Sequence, residues 1–395
     1  MLALRERGTR RYRGIRQDQL FREWQRIPTE RQAMARVIVA MSGGVDSSVS
    51  AGLLRQQGHE VIGVFMRHGI EAEPACHLGG ASAGLPQRRQ GCCSAADAAD
   101  ARRVADALGI PFYVLNFQDQ FEQIIEYFVA EYRAGRTPNP CVVCNTWLKF
   151  GKLFEYADSV GATWVATGHY ARLVAEPGDE PALLRANDVA KDQSYVLFGI
   201  ERRLLGRLRF PVGEYRKEEI RALARRMGLP VAAKRDSQEI CFVPDRDHAR
   251  LVRQRAGPGA EGEIVTTAGK RVGYHTGLEN FTVGQRKGLG VALGTRQYVV
   301  RIEPEIRRVV VGSWEELACR ELTAAGVNWL VEPPTQTFRA EVKIRYRSAA
   351  FPAWVEPLED ARFRVCFDQP CYGVAPGQAA VLYDGPRVLG GGWIQ

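Results

Sequence analysis

Residues Val37 to Ser48 read VIVAMSGGVDSS: five apolar residues, then two adjacent glycines among three serines and one carboxylate. A continuous apolar run of this length, stopped by a turn, predicts a strand buried on both faces, as in a parallel sheet. The residues that follow, SGGVDSSVSAGLLRQQG, predict a turn running directly into a helix that stops at Gly58. Glycines 43 and 44 let backbone N–H groups come close to phosphate oxygens, and the helix N-terminus adds positive potential. Ser42, Ser47 and Ser48 offer further donors, while Asp46 is placed to hold Mg²⁺ or to orient the loop. The spacing is not that of the lysine-bearing G-x-x-x-x-G-K-[ST] loop. A glycine-rich turn with no ligand is the competing reading.

Outward from this stretch, strands and helices alternate. EVIGVFM (60–66), PFYVLNF (111–117) and TWVATGH (163–169) predict further strands of the same sheet. Ser94 with Asp97 three residues on resembles a capping box, and the helix it opens carries Ala101, Val104, Ala105 and Leu108 on one face. Ile220, Leu223, Ala224 and Met227 mark another helix near 216–228. A glycine- and proline-containing loop is expected over 68–92. Beyond about residue 244 the texture changes to short alternating runs between Gly and Pro turns, such as FRAEVKIRYRS (338–348) and RFRVCF (362–367). These predict antiparallel β structure in small barrels. The expected organisation is therefore an α/β parallel-sheet domain over 36–243, a small β-rich central domain over 244–312, and a C-terminal β-barrel over 313–395.

The 395 residues, 45% hydrophobic and 25% charged, are too many for one common core. No apolar run is long enough to span a membrane and no secretory leader is visible, so a cytoplasmic protein with no membrane partner is expected. Nine cysteines, an odd number at irregular spacings, fit a reducing compartment rather than a disulfide scaffold. A net charge of +9 favours an anionic partner. Only eight of the 54 basic residues are lysine; arginine forks suit phosphates and base edges, with a bias in gene composition as the competing explanation. Residues 1–35 read as a basic extension without fixed structure, a start at Met34 being the alternative.

TPNPCVVCN (137–145) places Cys141 and Cys144 three apart behind a rigid Pro-Asn-Pro, and no second C-x-x-C completes a four-sulfur zinc site. Along FRAEVKIRYRS, Arg339, Lys343, Arg345 and Arg347 fall on one face, which suits tracking of nucleic-acid phosphates or is an ordinary solvated face.

S-G-G-x-D-S after a buried strand resembles the pyrophosphatase loop of the N-type ATP pyrophosphatases, adenine nucleotide alpha-hydrolase-like enzymes that transfer AMP to a carbonyl-type oxygen. GRTPNPCVVCNTWLKFGKL, ATGHYAR, KDQSYVLFGI, SQEICFVPD and FTVGQRKGLG follow in that order. Together with the nucleotide loop they closely resemble the tRNA-specific 2-thiouridylases, the MnmA family, from about Arg36 to the closing GGGWI. The resemblance implies ATP with Mg²⁺, a tRNA with a wobble uridine, and a sulfur donor, either a persulfide carrier or a cysteine desulfurase relay. It implies that Ala40, Met41, Ser42, Gly43, Gly44, Val45, Asp46 and Ser47, with Met66 and Gly168, contact ATP. Asn139, Pro140 and Cys141 would surround a flipped base. Lys191, Asp192, Gln193, Arg345 and Tyr346 would contact tRNA, with His169 and Gln378 in support; for His169 a purely structural role competes.

Cys144 corresponds to the family's nucleophile and Cys241 to its persulfide carrier. One position departs: many members carry aspartate, assigned an acid/base role, where this chain has Cys141. Cys141, Cys144 and Cys241 also make the ligand count of a four-iron, four-sulfur cluster with one open iron. A persulfide and disulfide cycle and a cluster-bound sulfur are thus both open, with a three-cysteine structural zinc site as a third reading. Cys92 and Cys93 read as packing residues. Two other classes compete with the whole: an ATP pyrophosphatase acting as a small-metabolite ligase or amidotransferase, which leaves the cysteine loop unexplained, and a non-catalytic RNA-binding protein, which leaves the nucleotide loop unused.

Overall fold

The computed structural model describes residues 34–69, 94–175, 180–236, 240–243, 245 and 247–395. Ala35–Gln395 form one compact unit. Residues 1–33 of the basic extension, nearly all of the 68–92 loop with Cys76 and Cys92, Cys93 after it, and residues 237–239 before Cys241 lie outside the described residues.

The predicted strand is β1 (Arg36–Ala40), followed by α1 (Val45–Gln56), β2 (Glu60–Arg67), α2 (Ala95–Leu108), β3 (Phe112–Asn116) and α3 (Gln118–Arg133). Val37, Ile38 and Val39 are completely buried. They alternate between two cores, as period-2 geometry requires: Val37 and Val39 pack with Val49, Leu53 and Leu223 on one face, and Ile38 and Ala40 with Val165, Phe150 and Phe154 on the other. The α2 cap forms as the sequence indicates, with Ser94 Oγ accepting from Asp97 N at 3.1 Å and Asp97 Oδ2 accepting from Ser94 N at 3.2 Å.

Next, a one-turn helix α4 (Pro140–Val143) passes directly into a π-helical stretch, Cys144–Lys152, and then α5 (Leu153–Ser159). β4 (Trp164–Thr167), β5 (Ala171–Val174), β6 (Ala182–Arg185) and β7 (Leu208–Arg209) follow, then α6 (Lys217–Arg226) and α7 (His248–Ala256). Strands β3, β2, β1, β4 and β7, in that order, form one sheet, and its pairings are parallel.

The central part comprises β8 (Gly262–Thr266), β9 (Arg271–His275), β10 (Tyr298–Glu303) and β11 (Arg308–Gly312), in the order β10-β11-β8-β9. Here the expectation of purely antiparallel pairing is corrected: β11 and β8 run parallel, because 41 residues of connection separate them rather than a hairpin turn. The last six strands are β12 (Ala318–Trp329), β13 (Phe338–Lys343), β14 (Phe351–Leu358), β15 (Arg362–Tyr372), β16 (Ala379–Asp384) and β17 (Arg387–Ile394). Pairing of β12 with both β15 and β17 closes them into a barrel. The β5–β6 hairpin extends the barrel sheet through Arg387 of β17 opposite Leu184 of β6, so the first and last modules share one sheet.

Candidate active site

The nucleotide loop lies where β1 ends and α1 begins, at the carboxyl edge of the parallel sheet. Gly43 has φ +69°, and a β-carbon there would run into the Asp97 carbonyl of α2. A β-carbon on Gly168, just past β4, would sit 2.5 Å from the amide nitrogen of Ser47. Both glycines therefore let backbone close around the start of α1. Gly44 caps α1 without any side-chain hydrogen bond to the first-turn amides, and a bare helix N-terminus of this kind suits an anion. Ser48 Oγ donates to Gly44 O at 2.7 Å, and Ser42 Oγ and Ser47 Oγ lie 3.3 Å apart.

Charges frame this loop. Lys217, the first residue of α6, donates to both Asp46 oxygens at 2.7 and 2.8 Å, and Tyr170 OH donates to Asp46 Oδ1 at 2.8 Å. Burial and the neighbouring Asp46 hold the Tyr170 phenol firmly protonated. Lys234 Nζ donates to Gly43 O at 2.9 Å and reaches Asp97 and Asp100 at 2.6 Å each. Asp46 offers carboxylate oxygens, the ligand chemistry a Mg²⁺ site needs, and both are held here by the Lys217 ammonium. None of Tyr170, Lys217, Lys234 or Asp236 was singled out from sequence. A signal did exist: in a chain with only eight lysines, Lys217 and Lys234 both reach this loop, where a compact point charge is required rather than an arginine fork.

The cysteine loop is seated on the barrel. Gln378 Nε2 donates to Thr137 O at 3.0 Å and Pro138 O at 3.1 Å, and Thr137 N donates to Pro376 O at 2.8 Å. Asn139 caps α4 by accepting from Val142 N, and Pro140 occupies the first helical position. Tyr195 hydrogen-bonds the Asn139 side chain and donates to Ala379 O at 3.0 Å. Cys141 is exposed beside the Tyr346 phenol, which is raised by burial, by Asp192 and by Cys141 itself. Lys343 Nζ lies 5.7 Å from the Tyr346 ring and 5.9 Å from that of Tyr195. Asn139, Cys141, Asp192, Tyr195 and Tyr346 therefore gather around one spot from three distant parts of the chain.

Residues 35–245 match a family model described as a tRNA methyl transferase HUP domain, 251–313 a tRNA methyl transferase PRC-barrel domain, and 319–394 an aminomethyltransferase beta-barrel domain. The chain is 52% identical to a tRNA-specific 2-thiouridylase MnmA of Rhodopirellula baltica, over 91% of this chain and 96% of that one. It is 48% identical to MnmA proteins of Acidithiobacillus ferrooxidans (91% of this chain, 98% of the relative) and Geobacter metallireducens (92% and 97%). The chain belongs to the MnmA family.

Within this MnmA-family site, several of the residues named from the resemblance make contacts inside the protein. Asp192 is buried, its Oδ1 accepting from Ala186 N and Ser194 N, and Gln193 exchanges hydrogen bonds with the Tyr170 backbone. Both shape the loop that presents Lys191. His169 is buried between Phe150 and Phe210, with Nδ1 2.7 Å from Thr167 Oγ1. Burial, reinforced by Lys149, lowers its pKa well below the ordinary range, which favours the neutral ring. Arg345 Nη2 donates to Val283 O and Gly373 O at 2.7 Å each, strapping the central part to the barrel. The cationic face expected on β13 is also largely matched in charge: Arg339 pairs with Asp368, and Glu341 with Arg185. Exposed Arg347 and partly buried Lys343 are its remaining cations.

Cys144 and Cys241, 97 positions apart, pack against the same apolar cluster of Phe121, Val143, Leu148, Phe242 and Val243. Among the described residues no three His, Cys, Asp or Glu side chains are gathered to hold a metal ion. Cys141 is exposed, while Cys144 and Cys241 are partly buried against the apolar cluster. Among the described residues, no helix is long and apolar enough to cross a membrane.

Proposed function

We propose that this chain is an ATP-dependent tRNA 2-thiouridylase that adenylates the 2-carbonyl oxygen of a wobble uridine and replaces that oxygen with sulfur. The observation that carries the reading is one compact unit uniting a bare, lysine-framed helix N-terminus with a Pro-Asn-Pro-Cys loop seated on a barrel. Ala40 to Ser47, Met66 and Gly168 receive ATP. Asp46 would hold Mg²⁺, which would supply neutralisation of phosphate charge. Attack of uridine O2 on the α-phosphorus expels pyrophosphate and leaves C2 with AMP as its leaving group.

The base must leave its stack for this, and Asn139, Pro140, Cys141 and Tyr346 form the pocket that takes it. Lys191, Lys343 and Arg347 meet tRNA phosphates, and Asp192, Gln193, Arg345, His169 and Gln378 hold those contacts in place. A persulfide carrier or cysteine desulfurase relay in the cytoplasm loads Cys241. The terminal persulfide sulfur attacks C2, AMP departs, and a Cys241-S-S-C2 bridge forms. Cys144 thiolate then attacks Cys241 Sγ, giving a Cys144–Cys241 disulfide and releasing the electron pair to the 2-thiouridine sulfur; an external dithiol resets the disulfide. Residues 36–243 house the chemistry, 244–312 form the strut, and 313–395 seat the cysteine loop and the tRNA.

The test is anaerobic purification followed by single-turnover thiolation with ATP, tRNA and a persulfide donor. The expected result is one AMP per 2-thiouridine in iron-free protein, with a trappable persulfide on Cys241. Activity that follows iron and acid-labile sulfide would overturn the persulfide route, and pyrophosphate release indifferent to tRNA would overturn the assignment itself.

A further inference from the structure

Asp236 lies between the nucleotide loop and Lys191. Its Oδ1 accepts from Lys217 Nζ at 2.9 Å and from Arg221 Nη2 at 2.7 Å, and its Oδ2 accepts from Lys191 Nζ at 2.8 Å. Lys217 holds Asp46 with the same ammonium group. An unbroken chain of charge-assisted bonds thus runs from Asp46 through Lys217 and Asp236 to Lys191. Arg221 Nη1 also donates to the carbonyls of Ala232 and Lys234, at 3.3 and 2.9 Å, so the segment bearing Asp236 is fixed independently of the two lysines. The Lys217 side chain is only 11% exposed and that of Lys191 36%, so one end of the chain is enclosed and the other meets solvent. Burial alone would raise the Asp236 carboxyl, but its hydrogen bonds from Lys191 and Lys217 hold it down to about 2.

We propose that Asp236 is a positioning residue that makes nucleotide and tRNA binding favour one another. The inference rests on the reading of Lys191 as a tRNA contact. Whatever draws Asp46 away from Lys217, a metal–nucleotide complex included, leaves the Lys217 ammonium leaning on Asp236 alone. That strengthens one bond to the shared carboxylate at the expense of the other and releases Lys191 toward a phosphate. In the reverse direction, a tRNA phosphate that takes Lys191 leaves Asp236 to hold Lys217, which frees Asp46. Such coupling must be reciprocal.

The test measures the tRNA Kd of the full chain with and without α,β-methylene-ATP and Mg²⁺, and the analogue's Kd with and without tRNA. The wild type is expected to show mutual tightening of about fivefold or more, the lower end of ordinary allosteric coupling. In Asp236→Asn the factor should fall to within about twofold of unity, while tRNA alone binds at least as tightly as to wild type, since Lys191 is released. Asp236→Glu, which keeps the charge, should retain part of the coupling and serves as the readout if the Asn variant fails to fold. Absent coupling in the wild type, or undiminished coupling in Asp236→Asn, would overturn the proposal. Unchanged tRNA affinity in Lys191→Met would refute the tRNA reading of Lys191 and the coupling with it; weakened affinity there alongside intact coupling in Asp236→Asn would overturn the coupling alone.

Discussion

The backbone of the loop from Ser42 to Ser47 takes its turn from residues within it, with its charges brought from afar by Lys217 and Lys234, whereas the loop from Thr137 to Cys144 is held in place by Gln378, 241 positions from Thr137. In the first, a buried strand, two glycines and a helix start are contiguous, so local propensity and tertiary structure agree. In the second, prolines stiffen the chain, but its place is set by the barrel and by Tyr195. The lesson is that the backbone of the phosphate turn is encoded locally here, while its charges and the base-recognition loop depend on assembly of the whole chain. Damage to the first should abolish chemistry and spare the fold. Damage to the second should misplace the substrate.

The largest effect is expected for Asp46→Ala. Loss of the loop's carboxylate should lower AMP formation by about 100-fold or more, as for removal of a main electrostatic group in other enzymes. tRNA affinity without nucleotide should not weaken, since loss of the Asp46 carboxylate leaves Lys217 to Asp236, and gel-shift titration beside a pyrophosphate assay checks both. Gln378→Ala comes next: it removes two hydrogen bonds from the proline loop, at about 1–2 kcal/mol, and should slow thiolation about tenfold through misplaced geometry. ATP binding measured without tRNA should not change; if it does, the two loops are not separable in the way this comparison holds.

Arg345→Met sharpens the contrast from the tRNA side. Its guanidinium is spent on two carbonyls, so stability should drop by about 1–3 kcal/mol while the salt slope of tRNA binding is unchanged. Exposed Arg347→Met should do the opposite, reducing that slope by about 1 with little change in Tm. The smallest effect concerns His169. Its folded-state pKa is lowered by burial from an ordinary 6.5, so the unfolded chain binds the extra proton and stability falls as pH drops below about 6.5. His169→Gln should flatten that fall, as read by denaturant titrations between pH 7 and 5.

Much of this molecule could be read before any coordinates. β1, the Ser94–Asp97 cap and the face of α2 follow from period and turn chemistry alone. The β5–β6 hairpin could not be assigned to the barrel, because strand partners hundreds of residues apart leave no local mark. Nor could the π-helical run over Cys144–Lys152, since Thr146, Trp147, Leu148 and Lys149 would serve an α-helix equally well; such irregular helix is often found at functional sites. Arg345 and Asp192 were recognisable by motif, yet alternation in a strand cannot distinguish a phosphate contact from a strut. Lys217 and Asp236 escaped for a related reason: salt-bridge partners 171 residues from Asp46 become visible only once α6 is folded against α1.

The most direct measurement is single-turnover chemistry in Cys241→Ser with radiolabelled ATP and tRNA. Intact adenylation at the nucleotide loop and a severed sulfur route predict stoichiometric, tRNA-dependent pyrophosphate release, AMP retained on the tRNA, and no 2-thiouridine. Thiolation at the wild-type rate, or pyrophosphate release lost together with the thiol, would contradict the division of labour between the two loops.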